Sequence, residues 1–225
     1  MKNMSKDIYR IDSIELKGIS HKYGVGEYLF KDIDLNMTRG CRICLVGRNG
    51  SGKTTLLKII ALNLLPSTGS YQVDGVNIYE KGFEEIQMFK RRYIGFSFQE
   101  PTLIDSLNLI GNIKIIEYIR GVEIDLDGQS FNELISLLGL KDKLYVKVKK
   151  LSGGERKKLD ILRAIIFNPE ILVLDEPTAH LDRRSYEIVI NLIDGWLKNP
   201  YIIYSTPRES RLMDISTEVI DLDNL

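Results

Sequence analysis

No run of apolar residues in this chain approaches the ~20 that crossing a bilayer requires, so any work at a membrane has to pass through a partner. Histidine is scarce, with only His21 and His180, and so is cysteine, with only Cys41 and Cys44. These four residues show no zinc-binding spacing. The C-x-x-C arrangement of the cysteines suggests redox or metal chemistry. Strand side chains alternate faces, however, so an odd separation puts the two thiols on opposite sides. Both are read as small strand residues. Net charge is also missing, because 31 basic and 31 acidic residues cancel. Nothing global draws the chain to nucleic acid or anionic lipid, and no direct nucleic-acid binding is expected. The stretch Met1-Lys2-Asn3-Met4-Ser5-Lys6-Asp7 lacks an apolar signal-peptide core, which gives the expectation of an intracellular soluble protein. There is no internal repeat, low-complexity segment or linker. One compact domain over 1–225 is expected, long enough to bury a substantial core.

What is present is concentrated in short motifs. Gly47-Arg48-Asn49-Gly50-Ser51-Gly52-Lys53-Thr54-Thr55 fits the phosphate-binding pattern G-x-x-x-x-G-K-[ST]. Its glycines let the backbone wrap closely enough to aim N–H groups at phosphate oxygens. Lys53 supplies a point charge for the terminal phosphates, and the Thr54 hydroxyl is a ligand for Mg²⁺. The apolar run Ile43-Cys44-Leu45-Val46 precedes the loop, and Thr54 to Leu65 reads as a helix ended by Pro66.

The first part of the chain reads as β-rich. Ile11 to Ser20 and Tyr28 to Met37 alternate apolar and polar residues, with Gly24 and Gly26 marking a turn between them. Asp74-Gly75 between Tyr71-Gln72-Val73 and Val76-Asn77-Ile78 signals a hairpin. Arg92 to Phe98 reads as a strand. Leu107 to Arg120 and Ser130 to Leu140 have helical spacing, punctuated by Gly121 and Gly139. Ile171-Leu172-Val173-Leu174 is a continuous apolar strand of the kind buried in a parallel sheet, with Tyr201-Ile202-Ile203-Tyr204 as its neighbour. The outline is an α/β chain. It has a parallel-sheet nucleotide core, an antiparallel β flap near the start, and a helical insert from about Pro101 to Lys150. The helical subdomain as a whole is set at about residues 101–160.

The second half adds carboxylates and a capped helix. Leu174 leads into Asp175-Glu176-Pro177-Thr178. An acidic residue at the end of such a strand holds Mg²⁺ across from the phosphate-loop hydroxyl. Glu176 then lies beside the γ-phosphate, placed to accept a proton from attacking water. Upstream, Ser152 and Glu155 in Leu151-Ser152-Gly153-Gly154-Glu155 form an S-x-x-E capping box. The two glycines expose backbone N–H groups at a positive helix end, as an anion site needs.

Together these residues closely resemble the ATP-binding cassette (ABC) family, over nearly the whole chain and in the family's order. Leu151 to Glu155 resembles the signature motif, Ile171 to Glu176 the Walker B strand, Gln99 the Q-loop glutamine, and Ala179-His180-Leu181-Asp182 the D-loop. Tyr23 stands where the family stacks an aromatic ring on adenine. The resemblance implies a P-loop NTPase (RecA-like) fold and the ligands ATP and Mg²⁺. Tyr23, the residues from Gly47 to Thr55, Ser152, Gly153, Gly154 and Glu155 would contact nucleotide. Thr54, Gln99 and Asp175 would serve the metal, and Glu176, Lys53 and Gln99 the reaction. It also implies a second cassette, an identical copy or a close paralogue, because each ATP is sandwiched between one copy's Gly47–Thr55 and the other's Ser152–Glu155. The insert would dock on transmembrane permease subunits, placing the chain at the inner face of the cell membrane. Ser106 to Asn112 and Ile119-Arg120-Gly121 resemble the insert of the lipoprotein-releasing and macrolide-exporter subgroup.

One position departs from the family. Thr206, after the strand Tyr201–Tyr204, stands where a histidine usually contacts the γ-phosphate. Threonine donates a hydrogen bond but carries no positive charge. Two readings stay open, slowed hydrolysis or an ATP-driven dimerisation switch, and a soluble non-transport ABC protein is the further alternative. Finally, Lys147, Lys149, Lys150, Arg156, Lys157 and Lys158 cluster around Ser152. They are read as a solvated face that also steers ATP.

Overall fold

A computed structural model describes residues 10–196, 201–208 and 210–224. Two sheets carry the fold. The first is antiparallel, in the order β2-β1-β4-β5, from β1 (Ser13–His21), β2 (Phe30–Thr38), β4 (Thr68–Val73) and β5 (Val76–Asn77). The second has the order β6-β7-β8-β3-β9, from β3 (Arg42–Val46), β6 (Ile94–Ser97), β7 (Ile171–Leu174), β8 (Tyr201–Ser205) and β9 (Glu218–Asp221). Each pairing in the second sheet is parallel. Among the described residues, no helix is long and apolar enough to cross a membrane.

The central strands read as unbroken apolar runs because both of their faces are covered. Ile43, Leu45, Ile171, Val173, Tyr201 and Ile203 point into one core, shared with the antiparallel sheet and helix α1 (Lys53–Ile60). Cys44, Val46, Leu172, Leu174, Ile202 and Tyr204 point into the other, shared with the helices on the opposite side. Period-two alternation therefore sorts each strand between two cores, and each fully buried aliphatic side chain contributes about 1.5–3 kcal/mol. The same alternation separates the cysteines. Cys44 lies in the second core, whereas Cys41, one residue before β3, packs against the first.

The helical side is built from α3 (Leu109–Arg120), α4 (Gln129–Leu137), α5 (Gly153–Ile165) and α6 (Arg183–Asn191). Arg120 ties the insert to the core. Its guanidinium donates to Arg91 O (2.6 Å) and Ile94 O (2.9 Å) and lies over the Phe167 ring. Helix α5 packs so tightly on β6 that a Cβ on Gly95 would sit 2.0 Å from Ala164 O.

The structure corrects three local expectations. Arg92 and Tyr93 end a helix, α2 (Phe83–Tyr93), and only Ile94–Ser97 is strand. The helix after the phosphate loop stops at Ile60, because Leu62 takes a positive φ of 53° well before Pro66. The basic cluster is not one solvated face. Lys147, Lys149 and Lys150 are exposed, but Lys157 and Lys158 are buried.

Candidate functional site

The parallel strands all end on one edge, and each end delivers a side chain or loop to it. This is the carboxyl edge at which open α/β sheets bind ligands. β3 delivers the Gly47–Thr55 loop, β6 delivers Gln99, β7 delivers Asp175 and Glu176, and β8 delivers Ser205 and Thr206. The ladder holds the ends in register: Asp175 N donates to Ser97 O (2.8 Å) and Thr206 N to Leu45 O (3.1 Å).

The loop closes on its own lysine. Lys53 Nζ, 7% exposed, donates to Gly47 O at 2.7 Å and to Arg48 O at 2.9 Å. An ammonium has three protons, so one remains for an anion in the cradle. Gly52 caps the helix with φ 101°, and a Cβ there would meet the Phe30 ring at 2.7 Å, so only glycine closes this turn. Ser51 Oγ is buried without a hydrogen-bond partner among the described residues. Arg48 is turned outward, its N–H bonded to Asp223 Oδ2 at 2.9 Å and its Nε to Oδ1 at 3.3 Å. Asn49 and Gly50 are exposed at the loop's tip.

Asp175 is 1% exposed and held from two sides. Thr54 Oγ1 donates to its Oδ2 at 2.7 Å and Ser205 Oγ to its Oδ1 at 2.6 Å. This hydroxyl–carboxylate pair is the hard-oxygen set that suits Mg²⁺, which takes one or two carboxylates and fills its shell with water and phosphate oxygens. Among the described residues no three His, Cys, Asp or Glu side chains gather into an all-protein metal cage. The residues present therefore fit a metal that arrives with a phosphate ligand.

Gln99 Nε2 donates to Glu176 Oε2 at 3.4 Å, joining two expected site residues through their side chains. Glu176 has φ 44°, a left-handed conformation that costs a non-glycine residue about 1–3 kcal/mol. Ser205 Oγ accepts its N–H at 2.9 Å and so helps to hold it there. Ser205 was not singled out in the sequence. Its position next to Thr206 at the end of an apolar strand was the signal available. Thr206 is fully buried, and its Oγ1 has no hydrogen-bond partner among the described residues. Tyr23 is 60% exposed, with its hydroxyl 3.0 Å from Thr55 Oγ1 and its ring edge-on to His21.

Ser152 caps α5 reciprocally, accepting from Glu155 N (3.2 Å) while its own N–H reaches Glu155 Oε2 (2.8 Å). Burial opposes ionisation of Glu155, but the Ser152 bonds and Lys143, 3.1 Å away, outweigh it and hold its carboxyl below the usual range. Gly153 and Gly154 begin the helix, and a Cβ on Gly153 would meet nothing within 4 Å. These bonds run within the cap and to Lys143, not to the phosphate loop of the same chain. The D-loop segment is also ordered by a cap, Asp182 accepting from Ser185 N at 2.8 Å, and His180 is exposed with φ 58°.

Comparison with known proteins gives a consistent picture. A family model described as ABC transporter matches residues 30–179. The macrolide export ATP-binding/permease protein MacB of Escherichia coli is 32% identical over 212 residues, covering 93% of this chain and 33% of MacB. The chain thus spans about a third of the length of the MacB proteins it matches. The lipoprotein-releasing system ATP-binding protein LolD of Bacteroides fragilis (strain YCH46) is 35% identical over 174 residues, 77% of this chain and 80% of LolD. Among solved structures, a dimeric post-hydrolysis state of the ATP-binding cassette MJ0796 bound to ADP and Pi superposes with a TM-score of 0.83. It is 26% identical and covers 92% of this chain and 93% of the other. The architecture is that of such cassettes, a P-loop NTPase fold.

Proposed function

The chain belongs to the ABC transporter family, and from that premise we propose that it is the ATP-binding and ATP-hydrolysing subunit of an ABC transporter. In this reading residues 1–225 form a single ABC ATPase domain with the helical subdomain at about 101–160, and two cassettes close head to tail on ATP. The partners are a second copy or close paralogue and separate transmembrane permease subunits, which would hold the chain at the inner face of the cell membrane. The dimeric MJ0796 cassettes support the pairing. LolD, an ATP-binding protein of a lipoprotein-releasing system, supports the division of labour.

The observation that carries the reading is the meeting of Thr54 with Asp175 and of Gln99 with Glu176 at the mouth of the phosphate loop. Lys53 and the loop amides bind and orient the phosphates. Tyr23 offers an exposed ring for the base. Thr54, Gln99 and Asp175 would hold Mg²⁺, and the ion would neutralise charge on the phosphate oxygens. Glu176 Oε accepts the proton of the attacking water, and Gln99 orients the carboxylate. Ser152 and the N–H groups of Gly153 and Gly154 cap the nucleotide of the partner cassette. Thr206 donates a hydrogen bond where a charge would be stronger, so turnover is slow.

The test is phosphate release from Mg–ATP by the purified chain, alone and with Glu176→Gln. Measurable release that falls by about 10²-fold or more in the variant is expected, together with an ATP-dependent Glu176→Gln dimer in light scattering. A wild-type chain that neither binds nor hydrolyses ATP would overturn the reading.

A further inference from the structure

Lys157 lies in the cluster read from sequence as a solvated face, yet it is 5% exposed. Among the described residues its ammonium makes no hydrogen bond to a carboxylate. It donates instead to Phe98 O at 2.9 Å and to Asp175 O at 3.1 Å. Those two carbonyls mark a fork. The β6–β7 ladder runs as far as Ser97 opposite Leu174 and ends with the bond from Asp175 N to Ser97 O. Beyond it the strands part, and the next residues of the two arms are Gln99 and Glu176. Lys157 thus stands where the ladder has run out and joins the peptides that lead into the two side chains meeting at 3.4 Å.

Lys157 is the first of three charged residues spaced three apart along α5, all turned toward the Gln99 segment. Asp160 Oδ2 accepts from Ser97 Oγ at 2.6 Å, and Arg163 donates to Thr102 O at 2.6 Å. The segment 97–102 is therefore held on α5 at both ends, with Gln99 between. The same helix begins at the Ser152 cap, five residues and about 7.5 Å before Lys157.

We propose that Lys157 is a positioning residue: from the helix that carries the Ser152–Glu155 cap, its ammonium fixes the peptides leading into Gln99 and Glu176 and so sets these two side chains against each other. Asp160 and Arg163 hold the remainder of the Gln99 segment to the same helix. Filling the space would need only an apolar chain. Burying an ammonium costs several kcal/mol, so its presence points to the two carbonyl bonds. This deepens the ATPase reading and rests on it.

The experiment compares wild type, Lys157→Met, Lys157→Gln, Gln99→Ala and Lys157→Met/Gln99→Ala. It uses steady-state phosphate release and backbone hydrogen exchange. Met keeps the bulk and removes the donors, and Gln restores a donor. Lys157→Met should lower kcat by roughly tenfold or more with KM for ATP within about twofold. Lys157→Gln should fall between it and wild type, and the double variant should be no worse than the worse single one. Independently of turnover, the amides of Gln99, Glu100, Thr102 and Glu176 should exchange roughly tenfold faster in Lys157→Met. A folded Lys157→Met with wild-type kcat, or a loss that adds fully to that of Gln99→Ala, overturns the proposal, as does unchanged exchange at these amides. If Lys157→Met does not fold, Lys157→Gln is read in the same assays, with kcat and exchange expected to depart from wild type and unchanged values overturning the proposal. Absence of wild-type turnover sinks the ATPase reading alone, and the exchange comparison still judges Lys157.

Discussion

The Thr54 hydroxyl donates to Asp175 Oδ2 across 2.7 Å and 121 positions of sequence. Ser205 secures the other carboxylate oxygen at 2.6 Å. Asp175 is thus fixed by hydroxyls from two different elements, which orders both of its oxygens before any ligand enters. Preordered acceptors need no rearrangement when a cation with its phosphates is bound.

Lys53→Ala removes the ammonium that braces Gly47 O and Arg48 O and faces the cradle. A charge-assisted hydrogen bond contributes about 1.5–3 kcal/mol, so the dissociation constant for Mg–ATP should rise roughly ten- to hundredfold. Isothermal titration measures it, and undiminished affinity would show that the loop does not hold the phosphates.

Thr206→Val separates stability from turnover. The Thr206 hydroxyl is buried without a partner among the described residues, a state that costs about 1–3 kcal/mol. The valine variant should therefore unfold at equal or higher urea concentration in the absence of nucleotide. If the hydroxyl donates to phosphate during the reaction, the same variant should hydrolyse ATP more slowly. Loss of both stability and activity would mean that the hydroxyl has a structural partner.

Gly95→Ala tests the packing of α5. The new Cβ would sit 2.0 Å from Ala164 O and 2.9 Å from Pro169 Cγ, so helix backbone has to move. Overpacking costs about 1–3 kcal/mol and more where backbone is the obstacle. Chemical unfolding should show a loss at or above the upper end of that range. A variant as stable as wild type would mean that α5 is free to shift from β6.

Burial pushes the Lys157 ammonium below the ordinary lysine value of 10.5, although Asp160, Asp175 and Glu176 pull the other way. The unfolded chain then holds this proton to higher pH than the folded one. Between the folded value and 10.5 the unfolded state binds more protons, so this group makes stability rise with pH. Lys157→Met removes the contribution. The stability difference between wild type and Lys157→Met, from urea unfolding at pH 7.5 and 9.5, should move in favour of wild type at the higher pH.

Local signals were legible where a few neighbouring residues decide the outcome. The Asp74-Gly75 turn, the Ser152–Glu155 box and the helix-ending glycines at 121 and 139 were read from adjacent positions and occur as such, both glycines with φ 64°. Helix α2 escaped because only Tyr93 of its residues is buried, so its apolar periodicity is weak. Its Glu84 and Glu85 at the start and Lys90 to Arg92 at the end were the available cue. Lys157 and Lys158 were misread because a run of basic residues carries no record of which strand ends will pack over it.

The amino-acid order alone determined the phosphate-loop turn, the reciprocal helix cap and the two-sided apolar strands, because backbone conformation and side-chain period act over a few residues. Only the tertiary structure decided that Asp175 meets Thr54, that Gln99 meets Glu176, and that a lysine from α5 occupies the fork between β6 and β7. Those contacts join segments tens to more than a hundred positions apart, and it is the close packing of helix against sheet that brings them together.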